Sequence, residues 1–153
     1  MLRSLLICAA LVGGVAASAL AQEVVGDPPH PAPREAAPGE EGPWREVTLA
    51  DGQALAVREL GDADGTPLVL LTGGPGFAGS QLLGLAEALA TQHRVILPDQ
   101  RGTGRSLDDA MDAAAYTLDG AVADLEQLRA SLELERVILV GHSWGGLLSM
   151  AYA

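Results

Sequence analysis

A chain of 153 residues, 48% of them hydrophobic, is long enough for one domain with an ordinary buried core and too apolar to be disordered throughout. Nine arginines, no lysine and twenty acids leave a formal charge of -11, which repels nucleic acid and anionic membrane surfaces and sets basic-patch functions aside. One cysteine and three histidines are too few for a disulfide framework or a Cys/His metal cluster, so neither a metal nor a cofactor is expected.

Residues 1–21 read as an export signal. Arg3 supplies the positive start, Leu5 to Leu20 form an apolar stretch, and Ala19-Leu20-Ala21 fits a small-x-small cleavage site ahead of Gln22. That stretch is short and weak for a membrane span, so cleavage is expected rather than anchoring. The mature chain is then expected to be periplasmic or extracellular, without Cys8 and without stable membrane association. Residues 22–43 are dense in Pro, Gly, Ala and Glu, lack apolar periodicity, and read as a disordered linker.

From Trp44 the pattern changes, and residues 44–153 read as one folded unit. Arg45 to Leu49 and Ala54 to Glu59 are strand-like runs joined by a turn at Asp51-Gly52, which predicts an opening antiparallel pair. Leu68 to Leu71, Val95 to Leu97 and Val137 to Val140 are continuous apolar runs of strand length, suited to strands buried on both faces. Between them, Leu82, Leu85, Ala86 and Leu89 keep helical spacing, in a helix expected to begin near Ser80 and end at His93. Leu118, Val122, Leu125 and Leu132 do the same after Thr117, a candidate N-cap. The order β-β-β-α-β-α-β-α predicts an α/β fold: a mostly parallel sheet, helices on both faces, and working loops at the carboxyl ends of the strands.

Gly141-His142-Ser143-Trp144-Gly145 has the form GxSxG, placed between an apolar strand and a helix-forming run. In that context the turn is sharp enough to hold the central residue in strained backbone geometry, and the flanking glycines leave room where side chains would collide. Ser143 is therefore the candidate nucleophile, with Gly141, His142 and Gly145 shaping its turn. The plain alternative is a glycine-rich turn with a capping serine. Seventy residues earlier, Thr72-Gly73-Gly74-Pro75-Gly76 is a loop whose small residues let backbone N–H groups approach a ligand, as an oxyanion hole needs. The amides of Gly74 and Trp144 are the candidate donors.

GGPG at 73–76, DQRGTGRS at 99–106 and GHSWGG at 141–146 together resemble the proline iminopeptidase family of α/β-hydrolases, in the family's order and spacing and over residues 44–153. The resemblance implies an eight-stranded hydrolase core with a helical cap, cleaving N-terminal residues from peptides by acyl transfer through serine. Related members include other peptidases and esterases, whereas epoxide hydrolases and haloalkane dehalogenases share the fold but carry Asp at the elbow. The family usually has His before GGPG, where this chain has Thr72.

Asp99 and Arg101 follow a strand and are read as shaping a loop. His142 is adjacent to Ser143, but neighbouring side chains at such a turn point apart, so it is read as packing and not as the base. His93 is read as a surface or helix-terminal residue, and His30 belongs to the linker. In hydrolases of this kind the acid and histidine follow the serine. Both are therefore expected beyond residue 153, leaving these residues as the N-terminal half of the domain, cut after the elbow and nearly inert alone. The expected partner is a small-molecule or peptide substrate. An esterase and a non-catalytic hydrolase-like binding module are the competing readings.

Overall fold

The computed structural model describes residues 43–107 and 116–153; the expected export signal, and all but the last residue of the expected linker, lie outside them. Five strands, β1 (Trp44–Thr48), β2 (Ala54–Leu60), β3 (Pro67–Leu71), β4 (Arg94–Pro98) and β5 (Ile138–Gly141), form one sheet in the order β1-β2-β4-β3-β5. The helices are α1 (Leu83–Leu89), entered through a 3-10 turn at Gly79–Leu82, α2 (Leu118–Ser131) and α3 (Trp144–Tyr152). Among the described residues this is the strand and α-helix order that the periodicity predicts.

The sheet is mixed. β1 pairs antiparallel with β2 through the tight turn at Asp51-Gly52, where Gly52 takes a φ of 90° that other residues rarely adopt. β2 docks antiparallel on β4, while β3 runs parallel to both β4 and β5.

Alternation along the strands divides the core even where the sequence is uniformly apolar. Val69 and Leu71 of β3, with Ile96 and Leu139, face α2 and α3 and meet Leu125, Leu128 and Leu148 there. Leu68 and Leu70, with Val95 and Leu97, face α1 and meet Ala86. Each continuous apolar run thus serves two helical layers, which is why no polar alternation marks these strands.

α2 starts where expected, because the Thr117 hydroxyl accepts from the Gly120 amide at 3.0 Å and satisfies one of the orphan donors of the first turn. The first helix differs from expectation. It ends at Leu89, and the amides of Gln92 and His93 both donate to the Leu89 carbonyl at 3.0 Å, turning the chain into β4. His93 therefore sits after the helix and is half-buried rather than a surface residue, and Leu85 is exposed.

Candidate active site

The three motif-bearing loops leave the carboxyl ends of three adjacent parallel strands. β3 lies between β4 and β5, and the register pairs Leu71 with Gly141. Thr72 and His142, the next residue on each strand, consequently emerge side by side, and the His142 amide donates to the Leu71 carbonyl at 3.0 Å.

The turn at Ser143 is abrupt. Its φ of 52° and ψ of -113° lie outside the regions that non-glycine residues occupy without strain, at a cost on the order of 1–3 kcal/mol. The surroundings enforce this geometry. The Gly145 amide donates to the His142 carbonyl at 2.9 Å, and the amides of Gly146 and Leu147 both donate to the Ser143 carbonyl, at 3.0 and 3.1 Å. A Cβ on Gly141 would collide with the Gly145 carbonyl, and one on Gly145 would collide with the Leu71 carbonyl. Ser143 occupies the N-cap position of α3, yet its hydroxyl makes no capping hydrogen bond and the residue is exposed. A capping serine would spend its oxygen on the helix amides, so the plain turn-and-cap alternative does not describe this residue.

The glycine loop packs on that turn. A Cβ on Gly73 would lie 3.0 Å from Ser143 Cβ and 2.5 Å from His142 Nδ1. Gly74 and Gly76 adopt φ values of 51° and 119°. The loop is closed by the Thr72 hydroxyl, which donates to the Phe77 carbonyl at 2.9 Å, and by the Phe77 amide, which donates to the Gly74 carbonyl at 3.3 Å. Among the described residues, neither the Gly74 nor the Trp144 amide donates to a loop or turn carbonyl. The Trp144 amide also opens α3, whose dipole favours negative charge at that end.

The segment after β4 braces the site from the other side. Asp99 is fully buried, and its carboxylate accepts from the Gly79 amide at 2.6 Å and the Arg105 amide at 2.8 Å, which is the loop-shaping role expected of it. Arg101 makes a two-pronged contact with Asp124, at 2.7 and 2.8 Å, and also pairs with Asp51. Hydrogen bonding to Asp124 raises the guanidinium well above its ordinary range, against the opposing effect of burial. The Gln53 amide, and after it Arg101, hold the Asp51 carboxyl below its usual value. Trp144 and Arg101 line a largely apolar cavity of about 340 Å³ together with Pro75, Tyr116 and Leu148.

His142 is exposed, with its imidazole lying beside Gly73. Two residues went unnoticed in the sequence: Asp124, an acid on an otherwise apolar helix face, and Gln100, inside DQRGTGRS, whose carboxamide touches both Thr72 and Trp144.

The α/β hydrolase fold family model matches residues 66–153. A proline iminopeptidase of Heyndrickxia coagulans is 49% identical over 88 residues, covering 58% of this chain and 30% of that protein. A probable proline iminopeptidase of Streptomyces coelicolor is 39% identical over 112 residues, covering 70% and 34%. The chain thus spans about a third of the length of these curated relatives. Among solved structures, a proline iminopeptidase-related protein from Thermus thermophilus superposes with a TM-score of 0.62 at 32% identity, over 72% of this chain and 40% of that one. Epoxide hydrolases from metagenomes of hot environments superpose with a TM-score of 0.67 at 31% identity, over 72% and 37%.

Proposed function

The chain belongs to the α/β hydrolase fold family, and from that premise we propose that it is an exported serine hydrolase of the proline iminopeptidase type, with Ser143 as the nucleophile of acyl transfer. The observation that carries this reading is the strained Ser143 backbone, which presents an uncommitted, exposed hydroxyl against the Gly73 loop. The epoxide hydrolases are similar in fold, but this chain carries Ser143 at the elbow, where the family resemblance implies Asp for an epoxide hydrolase.

In this reading the Ser143 hydroxyl attacks the substrate carbonyl while a histidine accepts its proton. The Gly74 and Trp144 amides meet the oxyanion that forms, and the leaving amine departs with the transferred proton. Water then hydrolyses the serine ester and regenerates the hydroxyl. The family order puts the carboxylate and the histidine after the serine. Export rests on the composition of residues 1–21.

The product of the full reading frame, assayed with prolyl and alanyl p-nitroanilides and with p-nitrophenyl acetate, tests the proposal. Hydrolysis of an aminoacyl anilide that falls at least about a thousandfold in Ser143→Ala is the expected result. Hydrolysis of the ester alone assigns an esterase. Activity retained in Ser143→Ala overturns Ser143 as the nucleophile, and no activity in the unaltered protein overturns the reading in favour of a binding module.

A further inference from the structure

Gln100 joins the two parts of the site through one side chain. Its Nε2 donates to Thr72 Oγ1 at 3.0 Å and lies 3.4 Å from the Thr72 carbonyl oxygen. Its Oε1 accepts from Trp144 Nε1 at 3.0 Å. The indole nitrogen can only donate, so the carboxamide oxygen must face Trp144 and the NH₂ must face Thr72. The Thr72 hydroxyl, accepting from Gln100, spends its own proton on the Phe77 carbonyl and so closes the glycine loop. Thr72 is almost fully buried, which leaves little solvent to substitute for these bonds.

Gln100 is itself fixed. Its carbonyl accepts from the Thr103 amide and hydroxyl, at 2.9 and 2.8 Å, and the neighbouring Asp99 is locked by two backbone amides. A rigid loop after β4 therefore holds both the residue that begins the loop after β3 and the residue that follows Ser143.

We propose that Gln100 is a positioning residue that sets the separation between the Gly74 and Trp144 amides by clamping Thr72 to the Trp144 side chain. The proposal rests on the reading of those amides as oxyanion donors. Such donors act only when both reach the developing charge, so a small spread weakens the transition state more than the bound substrate. Thr72 and Gln100 form one unit: the hydroxyl can serve Phe77 because a donor, and not a second acceptor, faces it from residue 100. A carboxylate at position 100 would draw the Thr72 proton away from Phe77 and open the loop.

The test uses the full reading-frame product and the substrate it turns over. Gln100→Met keeps the length of the side chain and removes both hydrogen bonds. It is expected to lower kcat by about 10- to 100-fold with KM within about twofold. Affinity for a phenylboronic acid, whose serine adduct carries a tetrahedral oxyanion, should fall in parallel. Thr72→Val, which loses the hydroxyl, should show the same split, and the double variant should cost no more than the larger single change. If Gln100→Met yields no folded protein, the split in Thr72→Val decides alone. An unchanged kcat in either folded variant, or a loss carried wholly by KM, overturns the proposal while leaving Ser143 as nucleophile. Activity retained in Ser143→Ala overturns both.

Discussion

Gly73 and Ser143 are in direct contact: a Cβ on the glycine would stand 3.0 Å from the serine Cβ. The loop after β3 and the turn after β5 are thus fitted to each other, and a methyl group at position 73 must push the His142 imidazole aside and crowd the proposed nucleophile. Gly73→Ala is expected to lower kcat by about 100-fold while costing about 1–3 kcal/mol of stability. Steady-state kinetics alongside urea unfolding separates the two effects.

The glycines of the turn are not equivalent. At Gly145 an added Cβ meets the Leu71 and Thr72 carbonyls, which belong to a buried strand end and cannot move aside. Gly145→Ala is expected to cost about 3 kcal/mol or more. At Gly146 the nearest atom to an added Cβ is the Gly141 carbonyl oxygen at 3.4 Å, an ordinary contact, and at Gly84 of α1 nothing approaches within 4 Å. Gly84→Ala should therefore stabilise the protein by about 0.5–1 kcal/mol. Urea midpoints of the three alanine variants should rank in the order 84, 146, 145.

Asp124 and Arg101 retain only 11% and 12% side-chain exposure, and the two-pronged contact ties the loop after β4 to α2. Removing the acid leaves a nearly buried guanidinium with Asp51 as its other carboxylate. Asp124→Ala is expected to cost about 3 kcal/mol. Glu126→Ala, which breaks the more exposed pair with Arg129, is expected to cost less than about 1 kcal/mol. Equilibrium unfolding of the two variants provides the comparison.

The Glu126 carboxyl is held down to about 2, from an ordinary 4.5, by hydrogen bonds from Arg129 and then from the Tyr152 hydroxyl. A carboxyl depressed in the folded state contributes stability that is fully present above pH 4.5 and is lost as the pH falls through about 2. Half the side chain is exposed, so screening limits the contribution to about 1 kcal/mol or less. The stability difference between the unaltered protein and Glu126→Gln should hold constant at neutral pH and close across that acid window. Unfolding curves collected from pH 7 downward follow it.

Features set by local pattern were legible in the sequence, and features set by distant pairing were not. The apolar runs placed β3, β4 and β5, the Thr117 hydroxyl announced the start of α2, and GxSxG between strand and helix announced the turn at Ser143. The end of α1 was missed because the spacing of Leu82 to Leu89 suits a 3-10 turn and an α-helix equally, and nothing nearby announces where the chain must bend back toward β4. The Arg101–Asp124 pair joins residues 23 apart, and the Gln100–Trp144 contact joins residues 44 apart. Such partners are decided only when strands take their places in the sheet. Gln100 lay inside a recognised motif, but a motif shows which residues recur together and not what each one touches.

The most direct test of the central claim is the mass of the Ser143 peptide after the full reading-frame product has reacted with a fluorophosphonate. An adduct mapped to Ser143, and absent from Ser143→Ala, is the predicted result. An unmodified Ser143 peptide from correctly folded protein, or an adduct on another residue that persists in Ser143→Ala, would contradict it.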